Sequence, residues 1–212
     1  DAVQVKRRLG VPFFWADSLC IIQDDKGDCE REAARMGDVY MNAYCTIAAH
    51  AAHHADHGFL QESMQREKVV AVGGHANGEP SRGWALQERI LSPFTVHFGP
   101  AGSLYLNSRN RRYPSSTTAA LSVIPRTYHG WYEMLTQYSA CFLTNPRDKL
   151  IALSGIVQRC EGLIGDTYTG GIWINNFIHC LLWLRQKGAL EQDVAAPAPT
   201  WSWASVKRKI QY

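Results

Sequence analysis

The sequence predicts an α/β fold: a parallel-sheet core with additional helices and a small β-hairpin. Three observations predict it. Between Val11 and Ala49, two apolar runs of strand length flank an amphipathic helical stretch, the order of a crossover unit in a parallel sheet. Two further short apolar runs, 94–98 and 103–106, are joined by Gly99-Pro100-Ala101-Gly102 in the manner of a hairpin. The last third carries helical spacing instead of alternation.

The elements follow in order. Residues 2–9 read as the end of a helix closed by Gly10 at the position that favours glycine. Val11-Pro12-Phe13-Phe14-Trp15-Ala16 is long enough for one buried strand, and the polar run 23–28 reads as a loop. Asp28 is the expected cap of the next helix, with Glu30 and Glu32 in its first turn. Ala33, Met36, Val39, Tyr40 and Ala43 recur at helical spacing and form its apolar stripe. Residues 45–49 read as a strand, 50–81 as a long loop and 84–91 as a short helix before Pro93. Residues 109–125 read as polar loop. Three helices are expected beyond it, over 128–140, 146–160 (Asn145 as cap, Pro146 at the first position) and 171–186. Residues 195–199 read as an extended linker, and Trp201-Ser202-Trp203 alternates like a strand.

Composition narrows the function. With 46% hydrophobic and 19% charged residues, the 212-residue chain is that of a folded protein. A net charge of +3 is modest for a nucleic-acid binder. The two short basic clusters, 109–112 and 207–209, read as solvated loop and tail, so neither nucleic acid nor membrane is expected as a partner. No apolar run is long enough to span a bilayer. Six scattered cysteines without a CxxC pair suit reduced, mostly buried thiols, and the expected location is the cytoplasm.

Three stretches carry a resemblance. Phe14-Trp15-Ala16-Asp17-Ser18-Leu19-Cys20-Ile21-Ile22-Gln23-Asp24-Asp25, followed by Glu30-Arg31 and Met36-Gly37-Asp38-Val39-Tyr40, is similar to the central motif of the fungal heterokaryon incompatibility (HET) family. Arg82-Gly83-Trp84-Ala85-Leu86-Gln87-Glu88-Arg89 resembles a second motif of that family, and Ala198-Pro199-Thr200-Trp201-Ser202-Trp203-Ala204-Ser205 a third. The segment around Leu143-Thr144-Asn145-Pro146-Arg147-Asp148-Lys149 fits the same group. Phe94 and Cys141 depart from it, standing where the family often has a basic residue. The family's opening strand motif is absent, so the expected core lacks its first strand. Residues 1–107 would form the HET core and 108–212 a helical extension packed on it.

The resemblance implies a TIR-like or flavodoxin-like core, a role in non-self recognition and programmed cell death, and binding or cleavage of NAD. No cofactor is expected; NAD would be the substrate. Cleaving the nicotinamide–ribose bond needs a carboxylate beside an oxocarbenium-like ribose and a dry wall for the leaving ring. Glu30 and Glu88 are the candidate catalytic acids. Asp17, Cys20, Gln23, Trp84 and Gln87 are the candidate substrate-binding residues. Each has a plainer alternative. Glu30 suits a dipole-favoured first-turn acid, Glu88 a partner for Arg82 or Arg89, and Asp17 a turn. Cys20 and Trp84 suit core positions, and Gln23 suits a loop brace. His50, His53, His54 and His57 would share a face if helical, yet no metal site is expected there, and His97 reads as a strand surface residue. Two other functions remain open: a non-enzymatic module that associates with other copies or partner proteins, and a repurposed small-molecule-binding protein.

Overall fold

The structure, a computed structural model, describes residues 1–50, 52, 58–60, 82–99, 104–108, 124–185, 198–207 and 209–212. The expectations for 53–57, 61–81, 109–123 and 195–197, and so most of the histidine run and the first basic cluster, lie outside these residues, as does Arg208.

Helix α1 (Ala2–Arg8) ends as its sequence predicts. Gly10 takes φ 68°, its N–H donates to the Arg7 carbonyl (3.1 Å), and the Val11 N–H donates to that of Lys6 (3.2 Å). That pair of bonds satisfies carbonyls which the helix end would leave open. Val11–Ala16, expected as a buried strand, is instead unpaired extended chain, and Phe13 and Phe14 are exposed. A strand needs a neighbour for its N–H and C=O groups, and none of the described residues pairs with it. Only Trp15 packs inward, edge-on against Tyr40 at 5.7 Å.

A short helix α2 (Asp17–Cys20) leads to α3 (Lys26–Met41). Helix α3 begins a few residues earlier than expected because Asp25, not Asp28, is the cap; its carboxylate accepts the Asp28 N–H (3.0 Å). Asp28 sits in the first turn and its other oxygen accepts the Ile22 N–H (2.9 Å), fastening the preceding loop. Of the expected stripe, Met36 is buried and Ala33, Val39 and Tyr40 are half-buried, while Ala43 lies past the end of the helix; Gly37 is buried beside Met36.

The parallel sheet is real but displaced by one element. Strand β1 (Thr46–Ala49) pairs in parallel with β2 (Phe94–Phe98), not with residues 11–16, and the connection between them carries α4 (Gly83–Leu91). Strand β3 (Leu104–Ser108) returns antiparallel to β2, the predicted hairpin.

The second half supplies most of the core. Helix α5 (Tyr128–Tyr138) is capped by Thr127. Asn145 accepts the Arg147 N–H (3.1 Å) as expected, but the stretch after it runs as two 3₁₀ turns before α6 (Ser154–Ile164), which Gly165 closes at φ 76°. The helix expected over 171–186 does not form. Gly170 (φ 58°) and Gly171 (φ 99°) make a two-residue turn between β4 (Tyr168–Thr169) and β5 (Ile172–Trp173), a backbone that no α-helix can contain. The short helix α7 (Phe177–Cys180) follows, and then β6 (Leu184–Arg185) pairs with β7 (Ile210–Gln211). Trp201–Trp203 is also not a strand. Ser202 caps a 3₁₀ turn over Trp203–Ser205.

Leu86, Ile90 and Leu91 of α4 share one buried cluster with Trp131, Leu135, Tyr138, Leu153, Ile156, Trp173 and Trp203. Within it Lys149 is buried, its ammonium 5.1 Å from the Trp203 ring centre and donating to the Val206 carbonyl. The fold is thus a mixed one of helices, a small parallel pair and short antiparallel ladders.

Candidate functional site

Helix α4 is where the chemistry of residues 82–89 divides. Its start is pinned from the second half, because the Gly83 N–H donates to the Phe142 carbonyl (2.8 Å). From there the helical turn sends side chains to opposite sides. Trp84 turns its indole N–H to Asp148 (3.4 Å). Gln87 is fully buried, and its Oε1 accepts the Gly155 N–H (2.9 Å). Gly155 lies in the first turn of α6, so Gln87 satisfies one of the donors that a helix start leaves open. The Trp84 indole N–H and the Gln87 Oε1 are thus used inside the fold, whereas the Gln87 Nε2 is buried without a hydrogen-bond partner among the described residues. Removing the acceptor should strand a buried N–H, at about 1–3 kcal/mol. Gln87→Ala is therefore expected to lower Tm by roughly 2–10 °C in a thermal melt. A melt equal to the parent's would show that the bond contributes nothing.

Glu88 faces the other way. It is half-buried among groups from three other segments: Asp17 at the start of α2, Tyr40 near the end of α3, and Arg82 ahead of α4. Burial raises its pKa first, and the negative charge of Asp17 raises it further. Arg82 and the Tyr40 hydroxyl, its hydrogen-bonding neighbour, offset part of this. Tyr40 is itself pushed up by burial and by the two carboxylates. The arrangement is two acids, one guanidinium and a phenol, with Trp15 against the phenol ring. The sequence reading saw Tyr40 only as part of an apolar stripe; its hydroxyl was the missed signal.

The net effect on Glu88 has a consequence for stability. Its folded pKa lies above the unfolded one, so its contribution is complete below the unfolded value and is lost as pH rises through the folded value. At neutral pH the carboxylate therefore costs stability. Glu88→Gln is expected to raise Tm at pH 7–8, with the gain shrinking on acidification; a destabilised variant at neutral pH would refute it.

The other candidates lie elsewhere. Glu30 is exposed and pairs with Lys26 (3.8 Å). Ten residues before Tyr40 on the same helix, it is roughly 15 Å away along the axis, and the structure does not bring it to Glu88. The Asp17 carboxylate accepts the Ser18 N–H (2.7 Å), and its charge raises the pKa of Glu88. Gln23 donates its amide to the Asp17 (3.1 Å) and Ile21 (3.0 Å) carbonyls, so it braces the loop. Cys20 is exposed, contrary to a core position; of the six cysteines only Cys160 and Cys180 are buried, and none forms a disulfide.

His97 is not an isolated surface residue. Its Nδ1 lies 2.8 Å from Nε2 of His50, with parallel rings whose centres are 5.1 Å apart. That separation is what the contact leaves when two imidazoles meet edge to edge in one plane, so this is an N–H···N bond and not a stack. Burial, His50 and Arg89 together lower His97 to about 4. Among the described residues no three His, Cys, Asp or Glu side chains gather to hold a metal. A groove of about 570 Å³ lies far along the chain from the α4 site, lined by Glu161, Asp166 and Asn175 among others. Its carboxylates are committed: Asp166 accepts from Tyr128 (2.9 Å), Thr167 (2.7 Å) and Asn175 (3.0 Å), and Glu161 from Tyr168 (2.9 Å). No helix among the described residues is long and apolar enough to cross a membrane.

Neither a curated protein nor a solved structure matches the chain. Residues 1–89 match the family model described as heterokaryon incompatibility protein (HET). The matched stretch contains Asp17, Tyr40, Arg82 and Glu88, so all four groups of the site lie in the part of the chain that is similar to that family.

Proposed function

We propose that this protein acts in heterokaryon incompatibility by binding and cleaving NAD at the Glu88 site. Glu88 is the catalytic carboxylate, and Asp17, Tyr40 and Arg82 surround it. The observation that carries the reading is that Glu88 is half-buried, with its pKa raised by burial and further by the charge of Asp17. A fold optimised for stability alone would not keep that arrangement, and such perturbed groups concentrate where chemistry is done. In the reaction the C1′–N1 bond breaks and nicotinamide leaves with the electron pair. The Glu88 carboxylate stabilises the cationic ribose, and water adds to C1′ to give ADP-ribose and a proton. Arg82 is suited to a phosphate oxygen of the dinucleotide. Trp15, close by on Tyr40, offers an aromatic face.

Glu30 takes no part in this version, since an exposed acid so far along α3 cannot share a substrate atom with Glu88. Trp84, Gln87 and Gln23 hold the surroundings in place. A TIR-like core and a cytoplasmic location belong to the same proposal and rest on the family resemblance. The test is incubation of the concentrated protein with NAD and chromatography of the products. Nicotinamide and ADP-ribose in equal amounts are expected. No release, together with no shift of Tm by NAD, would reject the reading in favour of a non-enzymatic module.

A further inference from the structure

Strand register places two histidines at one end of the sheet. In the parallel ladder Thr46 stands beside Thr95 and Ala48 beside His97. Side chains alternate along a strand, so Thr46, Ala48 and His50 share one face with Thr95 and His97. The 2.8 Å bond between His50 Nε2 and His97 Nδ1 agrees with that. Both rings lie toward the C-terminal ends of β1 and β2, where open α/β sheets take their ligands. His50 is exposed and His97 half-buried, so the pair is open to solvent.

Helix α4 is tied to the same face. The Thr46 hydroxyl meets that of Ser92 (2.5 Å), just past the end of α4, and the Ser92 hydroxyl donates to the Glu88 carbonyl (2.6 Å). Arg89, three residues before Ser92, acts with its positive charge on both histidines. Its own side chain is half-buried, and its Nε is enclosed with no hydrogen-bond partner among the described residues. The ion pairs that these residues form all involve other bases. None of β1, β2 and β3 contains an acid, and β3 sets Tyr105 in register with His97. Burial lowers the Arg89 pKa, and only Cys141 acts in the opposite direction. A cation taken out of water costs stability unless a negative charge meets it.

We propose that Arg89 and the His50–His97 pair bind an oxyanion of the phosphate type. A guanidinium presents a planar fork of N–H donors to such a group. The histidine pair adds one more. Whichever ring donates the shared hydrogen, the accepting ring carries its own proton on its far nitrogen, so one N–H is left to give. The far nitrogen of the donating ring is bare. Beside an anion it takes up a proton without breaking the shared bond, so binding tightens as pH falls. Arg89 is not among the charges that act on Glu88, and the proposal does not depend on whether that site cleaves NAD.

Sulfate is the probe, because its charge stays constant through the neutral range. At a fixed concentration about tenfold above its Kd, with ionic strength held constant, sulfate is expected to raise Tm by roughly 3–6 °C. The gain should be larger at about pH 6 than at about pH 8. In NMR spectra of the full 212-residue chain, sulfate should move the ring signals of His50 and His97 and leave those of the exposed His129 and His179 in place. Arg89→Met should abolish both effects and, without sulfate, melt no lower than the parent, because a half-buried unpaired charge has gone. Inorganic phosphate and NAD, tried next, tell a free oxyanion from the diphosphate of a dinucleotide; either fits the site. A Tm gain that persists in Arg89→Met is the general effect of an excluded salt and would overturn the proposal. So would His50 and His97 signals that sulfate does not move. An Arg89→Met protein that melts well below the parent would also overturn it, since the guanidinium would then be paired within the fold.

Discussion

Gly155→Val is expected to unfold the protein or to cost about 3 kcal/mol or more, the upper end of what overpacking does. Helices α3 and α6 cross at two glycines. A Cβ at position 155 would lie 2.7 Å from the Gly37 Cα, and 3.0 Å from both Gln87 Oε1 and Leu91 Cδ1. From the other side, a Cβ at 37 would meet the Gly155 Cα at 2.8 Å. The obstacle is backbone, which cannot rotate away, so the helices must separate. Separation would also break the Gln87 bond to Gly155 and open the cluster around Leu91. Gly83 is tight as well, but its obstacle is the Leu143 side chain at 2.6 Å, which can move, so Gly83→Ala should cost less. Gly162, on the same helix as Gly155, has nothing within 4 Å. Gly162→Ala is therefore the control and should stabilise by about 0.5–1 kcal/mol. Urea unfolding of the three variants checks the order. A Gly155→Val protein as stable as the parent would mean that the two helices do not cross as described.

The second large effect is on activity. Glu88→Gln keeps the size and most hydrogen-bonding capacity of the side chain and removes only its charge. If the carboxylate stabilises the ribosyl cation, nicotinamide release should fall by about 10²–10³-fold, the range for loss of one preorganised electrostatic group. On the proposed reaction, the parent protein should also lose activity as pH falls through the Glu88 pKa. Burial and Asp17 raise that pKa, so the acidic limb is expected above the ordinary glutamate range. Asp17→Asn, which removes the repulsion, should move the limb downward. A rate unchanged by Glu88→Gln, or a limb that Asp17→Asn leaves in place, would remove Glu88 from the reaction.

Where the sequence predicted well, local physics decided the outcome. The glycine stop after α1, the stripe on α3, the 94–98 strand with its antiparallel partner and the Asn145 cap are all set by residues within a few positions of one another. It failed where long-range pairing or backbone torsion decided. Val11–Ala16 has the composition of a buried strand, but a strand exists only if a partner lies beside it. The run from Ile172 to Leu184 has helical spacing, yet Gly170 and Gly171 force a turn, and this signal was open to reading as a glycine pair at a hairpin. The site was half legible. Glu88 and Asp17 were named from their motifs, and the fold brings them together. Glu30 was named on the same grounds, but a continuous α3 puts it ten residues, on the order of 15 Å, from Tyr40. Trp84 and Gln87 looked like a binding pair because they neighbour Glu88 in sequence. On a helix, neighbours in sequence face different ways, and these two face Asp148 and Gly155. Tyr40 and Arg82 gained their place only from tertiary contact.

The central claim is that Glu88 is kept for function at a cost in stability. The most direct test is to measure Tm and nicotinamide release together for the parent and Glu88→Gln at neutral pH. The account expects opposite signs: a higher Tm and little or no release in the variant. A variant that melts lower than the parent would instead make Glu88 a structural residue and contradict the account, whatever its activity.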